Sequence, residues 1–565
     1  MALKRLEDAI ADGNRIHGVI RAIGLSNDGR QAGFLAPSAE GPVRAMQAAY
    51  RQSDVRPEDI HFIECHATGT PRGDTVELGS LAEIWGDGPK PVIGSLKANI
   101  GHPITASGVA SLMKVLGSFD AQLLPPTPCD DPLPDIAEHG FRILSQAEPW
   151  QSEGPRRAAS SNFGFGGTNA HLVVEEWTGQ TIPSGAEAAG RHRTEAAGRP
   201  DAGGGASRDG ASPETAGSPP PMGSGTTEVG EPAPTVAVTG MGVLAGEDVG
   251  LPAFVRRLVG PREAAGTRTD EVDLSMSDLG FPPNDLQESL AQQTSILAVL
   301  DEALAQVGDV DPRRTGVYIG MCVDPEAARH GLRVRLRELL AEDADPQDAD
   351  VEAWRQANAR SARHLTSAGV IGCMPNIPAN RVHARQDWTA PGFTVAGEEL
   401  SGLDALKLAM RALQAGEVDA AIVGASDFSH EPAHVAAAER VLPEDRRKPG
   451  DAAVALVLMR ETDAVEEGRP VLALRADARH GDQPSEPLHP PVTLQLDPEA
   501  GESEVTARFG HAHGASGLLH VAAGVVTAHL GAKLDPQGAW PAPRRVDQPH
   551  TKVAVRSYSG LARQV

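Results

Sequence analysis

Two histidines and a lysine have the types and spacing needed to polarise a carbonyl. His66 lies in E-C-H-A-T-G-T (64–70), and Lys97 and His102 lie in G-S-L-K-A-N-I-G-H (94–102). An imidazole or ammonium can hold negative charge as it develops on a carbonyl oxygen, and an imidazole can also exchange a proton near neutral pH. A lone histidine is more often a satisfied structural residue. Two of them, each in its own Gly-rich turn and accompanied by a lysine, point to one site.

The flanking elements explain the placement. His61–Cys65 is a short apolar run that stops at a Gly/Thr-rich turn, and Pro91–Ser95 reads the same way. Both are expected to be buried strands. After Gly101-His102 the chain enters a helix of small residues beginning near Ala106. Both histidines are therefore expected where a strand ends. Around them the sequence predicts a helix over residues 5–12, a strand over Ile16–Ile23, helices over 38–51 and 75–85, a loop over 122–150 and a strand over Ala170–Glu175. Asp74 and Glu77 are expected to hold the first histidine turn.

A third stretch follows, S-N-F-G-F-G-G-T-N-A-H (161–171). In this order the three motifs resemble the two histidine motifs and the glycine-rich loop of β-ketoacyl synthases, the condensing enzymes of fatty-acid and polyketide assembly. The resemblance implies a thiolase-like α/β fold, layered α/β/α/β/α, with the first copy present only as a C-terminal half. It implies a decarboxylative Claisen condensation. In that reaction His66 and His102 stabilise an enolate and Lys97 orients His102 or the carboxylate. Phe165, with Gly166 and Gly167, gates the site and lends a backbone N–H to the oxyanion. The acyl chain arrives on the phosphopantetheine arm of an acyl carrier protein. No directly bound cofactor and no metal are expected.

The later chain resembles a second copy. Pro234–Gly242 and Gly316–Gly320 read as strands, Pro378–Val382 as a helix start, Gly392–Leu406 as strand, elbow and helix, and Asp419–Ala425 as a strand. In the family a cysteine sits at this elbow, where the helix N-terminus lowers its pKa. Here Glu399 takes that position, and a carboxylate cannot form the acyl-thioester. None of Cys65, Cys129, Cys322 and Cys373 has the required setting in the sequence, and Cys65 reads as a small buried strand residue. A copy without the cysteine resembles the chain-length-factor partner of a ketosynthase, as in polyunsaturated-fatty-acid-type or iterative polyketide synthases. Glu399 then has two readings: a structural cap or salt bridge at a dimer seam, or a decarboxylating group assisted by His511.

An internal repeat links the copies. Leu3-Lys4-Arg5, Asp8-Ala9 and Gly13 match Leu458-Met459-Arg460, Asp463-Ala464 and Gly468. Gly101-His102 with Ala106-Ser107-Gly108 matches Gly510-His511 with Ala515-Ser516-Gly517. The second copy is shorter between these landmarks and has no His-x-Thr-Gly-Thr, and Thr506 replaces Lys97. The expected layout is a ketosynthase C-terminal half over 1–177, a disordered Gly/Ala/Ser/Pro linker over 178–233, and the N-terminal half of a second, Cys-less domain over 234–430. The shortened C-terminal half of that domain follows over 431–565. The N-terminal half of the first copy is expected upstream or on another chain.

Composition sets the remaining bounds. The 565 residues are 40% hydrophobic, enough for sizeable cores, and carry a net charge of −25. That charge argues against nucleic acid or an anionic membrane surface as partner. The four cysteines are far apart without metal spacing, no long apolar run occurs, and no signal peptide is expected. The expectation is a cytoplasmic protein without a membrane span, forming a dimer with another ketosynthase chain or the upstream half and serving an acyl carrier protein. The competing expectation is a non-catalytic subunit or remnant that pairs with an active ketosynthase.

Overall fold

In the computed structural model the described residues are 1–30, 38–179, 233–261, 266–272, 274, 280–342, 349–361, 365–475, 503–530 and 552–553. The stretch 180–232, which holds nearly all of the expected linker, lies outside them.

Short apolar runs build the first sheet: β1 Val19–Asn27, β2 Phe62–Glu64, β3 Val92–Gly94, β4 Arg157–Phe163 and β5 Thr168–Glu175. Their order is β1-β5-β4-β2-β3. β2 pairs in parallel with β3 and β4, while β4–β5 and β5–β1 are antiparallel. Successive side chains point to opposite faces, and both faces are covered. Ile63, Ala159 and Val173 pack with Met46 and Ala49 of α1 (Glu40–Gln52) and with Leu78 and Leu81 of α2 (Pro71–Trp85). Their neighbours Phe62, Ala158 and Val174 pack with Leu112, Val115 and Phe119 of α3 (Ser107–Ala121). Gly24 is needed because α1 lies so close to β1 that a Cβ there would stand 1.9 Å from Ala45 O.

The second sheet repeats the first. Its strands are β6 Val236–Ala245, β7 Thr315–Gly320, β8 Gly392–Val395, β9 Ala420–Phe428 and β10 Asp451–Arg460, in the order β8-β7-β9-β10-β6. Counted along the chain, both sheets run third, second, fourth, fifth, first. The directions agree too: β7 is parallel to β8 and β9, and β9–β10 and β10–β6 are antiparallel. Short strands Ala473–Arg475 and Lys552–Val553 extend the β6 edge. One face carries α4 (Ala291–Val307) and α5 (Ile377–Gln386), and the other carries α6 (Ser401–Gln414) and α7 (His513–Leu530). At Gly242 a Cβ would lie 1.9 Å from Val299 O of α4, the counterpart of Gly24 against α1.

Several expected boundaries move. The first strand begins at Val19 rather than Ile16, and the helix after His66 begins at Pro71 rather than residue 75. The stretch 122–150 is not all loop, since it holds the ladder Leu123–Leu124/Glu148–Pro149 and the helix Pro134–Glu138. The boundary expected at 430 falls inside one sheet, because Asp451–Arg460 lies between β9 and β6.

The described residues within 1–176 and 234–565 form one compact unit. The end of β1 and the glycine-rich loop dock on α5. Asn380 Oδ1 accepts from Asn27 Nδ2 at 2.9 Å and from Thr168 Oγ1 at 2.8 Å, while Asn376 and Asn380 Nδ2 donate to Phe165 O. Among the described residues no helix is long and apolar enough to cross a membrane.

Candidate active site

Three parallel strands, β3, β2 and β4, end side by side, and open ends of this kind are where α/β sheets place ligands. β2 leads to His66, β3 to Lys97 and His102, and β4 to Phe163 and the glycine-rich loop. The His66 and His102 ring centroids are 5.8 Å apart and nearly perpendicular, and the Phe163 ring lies tilted 5.6 Å from His66. The structure thus brings both histidines together.

The turn that aims His66 is held from below. Ala67 has φ 27°, which is strained for an L-residue. Glu77 on α2 accepts the His66 and Ala67 N–H groups, each at 2.8 Å. Burial pushes the Glu77 carboxyl up to about 7 even so. Burial also pushes His66 down to about 4, helped by Lys97 and His102, so at neutral pH the ring is uncharged. His102 is lowered by burial and then by Lys97. Its Nδ1 accepts from Ile104 N–H at 3.1 Å and lies 3.1 Å from Ser107 Oγ. The backbone donor makes Nδ1 the acceptor, so the proton sits on Nε2 and can be donated to a substrate oxygen.

Lys97 opens a one-turn helix, Lys97–Ile100. Its buried Nζ makes no hydrogen bond, and burial lowers its pKa against the opposing pull of Glu64 and Glu77. The orientation of His102 comes from Ser107 and the Ile104 backbone. Phe165 is 59% exposed at the tip of its loop, where Gly166 and Gly167 have φ 86° and 91°. Sequence reasoning missed the fully buried Glu64, which pairs with Lys114 Nζ at 2.8 Å and accepts Leu96 N–H at 2.6 Å. A charged residue inside an apolar strand was the available signal.

The second copy reproduces the geometry with different groups. His511 Nδ1 lies 3.2 Å from Ser516 Oγ, as His102 does from Ser107, and Gly510 has φ 77° where Gly101 has 75°. At the elbow Ser401 Oγ accepts Gly397 N–H and donates to Glu398 O. Glu399 Oε2 takes Arg446 Nη1 at 2.8 Å, and Oε1 stands 2.8 Å from His511 Nε2. Burial raises the Glu399 carboxyl, but His511, Arg446 and His513 outweigh it and hold it below its ordinary value. Thr506 replaces the lysine inside a short helix, Glu504–Phe509.

The cysteine reading needs one correction. Cys322 is remote in sequence from the elbow, yet its Sγ lies 3.4 Å from Glu398 O and 3.5 Å from Ser401 Oγ. Because β7 lies beside β8, the second residue past its end reaches the elbow. Burial pushes this thiol up to about 12, so it stays protonated. Cys65 is buried, with its thiol turned toward Ile63 O.

Family comparisons agree with this duplicated geometry. The model of the β-ketoacyl synthase C-terminal domain matches residues 17–129, and that of the N-terminal domain matches residues 270–464. The chain belongs to the β-ketoacyl synthase family. It therefore has the family's thiolase-like α/β fold, which the repeated sheet displays. It is 30% identical over 518 residues to a component of the polyunsaturated fatty acid synthase of Thraustochytrium sp., covering 83% of this chain and 23% of that protein. It is 38% identical over 183 residues to a 5-methyl-1-naphthoate synthase from Streptomyces sahachiroi, covering 31% of this chain and 10% of the other. Among solved structures it is similar to the PfaC keto synthase-chain length factor, with TM-score 0.65 and 25% identity over 84% of this chain and 51% of that one. The chain thus spans a minor part of these curated relatives and about half of the solved one.

Proposed function

We propose that this chain forms part of a β-ketoacyl-carrier-protein synthase of fatty-acid or polyketide assembly. Malonyl thioester on a carrier loses CO2, and the resulting enolate carbon attacks an acyl thioester held on a cysteine, expelling the thiolate. Both substrates arrive on phosphopantetheine arms of acyl carrier protein. The observation that supports this most is the pair of uncharged imidazoles at the ends of β2 and β3. Neutral N–H donors aimed at a developing enolate stabilise it without a competing ground-state charge. Lys97 adds positive potential beside both rings, and Phe165 caps the entrance. The thiol comes from a segment that carries cysteine at the elbow, because Glu399 occupies that position here.

Residues 234–565 then act as the chain-length-factor-like partner, pairing with the active copy and shaping its tunnel. The buried contacts of Glu399 with Arg446 and His511 favour this reading. They fill the former nucleophile position with a compensated charge. The alternative is that the whole chain is a non-catalytic partner of a separate ketosynthase.

The test is co-expression with a ketosynthase N-terminal half bearing the cysteine elbow, measuring β-ketoacyl thioester formation. Product should form, and His66→Ala or His102→Ala should abolish it. Equal product from either variant would sink the assignment. Acyl transfer to the 565-residue chain alone would overturn the need for an outside thiol.

A further inference from the structure

Glu399, His511 and His513 form a second cluster, separate from the His66–His102 pair. A carboxylate oxygen and one ring nitrogen from each histidine lie within 4.8 Å of one another. They come from the elbow before α6 and the turn into α7, so tertiary packing assembles them. Glu399 divides its oxygens: Oε2 binds Arg446, and the buried Oε1 makes no hydrogen bond. His511 is 3% exposed. Its Nε2 stands 2.8 Å from Glu399 Oε1 but outside hydrogen-bond geometry, and makes no hydrogen bond elsewhere. His513 Nδ1 is likewise buried without a hydrogen bond.

Beyond the Glu399–His511 contact these buried atoms make no hydrogen bond, and convergent buried donor atoms of this kind favour a shared partner. A cation would satisfy all of these donors at once. The surroundings are those of histidine ligands, whose second nitrogen is usually held by an outer polar group. His511 Nδ1 meets Ser516 Oγ, and His513 Nε2 meets Glu398 Oε2 at 3.2 Å. Glu398, Glu399 and the buried Asp427, which accepts Gly514 N–H at 3.2 Å, stand around the site together with the Arg446 guanidinium. Arg446 also fixes the carboxylate so that Oε1 is the oxygen left to ligate.

We propose that Glu399, His511 and His513 bind a divalent transition-metal ion of the Zn2+ class. Two imidazoles and a carboxylate suit Zn2+, whereas Mg2+ and Ca2+ prefer all-oxygen sets. The ion would tie the start of α6 to the start of α7 and seal the position that a nucleophile holds in an active copy. Cys322 Sγ lies within 4.8 Å of donor atoms of Glu398 and His513, outside the Glu399–His511–His513 triad.

The test uses the full chain, stripped with a chelator and titrated with Zn2+ against a chromophoric competitor. One tight Zn2+ per chain is expected, with no displacement by excess Mg2+. Losing an outer hydrogen-bonding partner typically weakens a metal site by about 10–100-fold, so His513→Ala and Glu399→Gln should weaken this one by more. Circular dichroism checks folding. Co2+ loaded into the unsubstituted chain gives a readout independent of the variants: visible d–d bands without a thiolate charge-transfer band. Failure to retain Zn2+ at micromolar free metal, or unchanged affinity in folded His513→Ala, would overturn the proposal. A thiolate-to-Co2+ band would also overturn it, by placing the ion on Cys322.

Discussion

At the scale of the residue, Glu399 and Ser107 separate structure from chemistry. Glu399 lies between Arg446 and His511 in a largely buried setting. Removing one partner of a buried ion pair costs about 3–5 kcal/mol. We expect Glu399→Ala to lower unfolding stability by roughly 3 kcal/mol, while decarboxylation of malonyl carrier protein by the assembled complex stays unchanged. A large fall in decarboxylation with folding intact would give Glu399 a chemical role. Ser107→Ala should act oppositely. It loosens the Nδ1 side of His102, so condensation by an assembled enzyme should slow roughly fivefold, for about 1 kcal/mol of lost orientation. Ser516→Ala, the matched change beside His511, should leave the rate unmoved. His66, His102 and Glu399 were legible in the sequence because turn glycines and motif order mark them. The partners of Glu64 and Cys322 were not, because Lys114 is brought to Glu64 by the helix Ser107–Ala121 and Ser401 to Cys322 by strand pairing, and neither leaves a local spacing to read.

At the scale of the element, the glycine-rich loop and α5 behave as one part. A Cβ at Gly166 would stand 2.4 Å from Asn380 Nδ2, and the residue already has φ 86°. Gly166→Ala should therefore both strain the loop and push it off α5. Asn380→Ala removes hydrogen bonds to Asn27, Thr168 and Phe165 together and should cost about 2–4 kcal/mol. Asn380→Asp keeps the acceptors but loses the donor to Phe165 O. Hydrogen exchange at Gly166 and Gly167 should speed up in both variants, and unchanged protection would show that α5 does not hold the loop. The sequence showed a loop and a helix start as separate landmarks. Their union was hidden because 215 residues separate Phe165 from Asn380. Strand existence was legible from apolar runs, whereas strand order was not, since apolar runs carry no partner information.

At the scale of the whole molecule, buried titrating groups give a signed pH dependence. His171, His383 and His520 are buried neutral, with burial pushing them down to about 3, 4 and 4. Folded values below 6.5 mean that the unfolded chain takes up protons first. Their contribution is complete above about pH 6.5 and is lost as pH falls toward 4, at about 1.4 kcal/mol per unit per residue. Asp28 and Glu77, raised by burial to about 6 and 7, oppose this over an overlapping range. The clean measurement is a difference. The melting-temperature gap between the wild-type chain and His171→Asn should narrow from pH 7 to pH 5, and a constant gap would mean that His171 is not buried neutral. Composition further predicts proteolytic cleavage within 178–233. Because the described residues within 1–176 and 234–565 share one compact unit, the two fragments should co-elute after nicking. Separate elution under native conditions would contradict that packing.

The Asn380 clamp also bears on timing. A ribosome adds about 5–20 residues each second, so the 215 residues between Phe165 and Asn380 take roughly 10–40 s to emerge. During that interval the histidine turns can fold, while the glycine-rich loop lacks its anchor. The glycine-rich loop would then be the last part of the first block to set, and only after the second block supplied the helix that holds it. Setting of the glycine-rich loop of the first block thus depends on completion of α5 in the second.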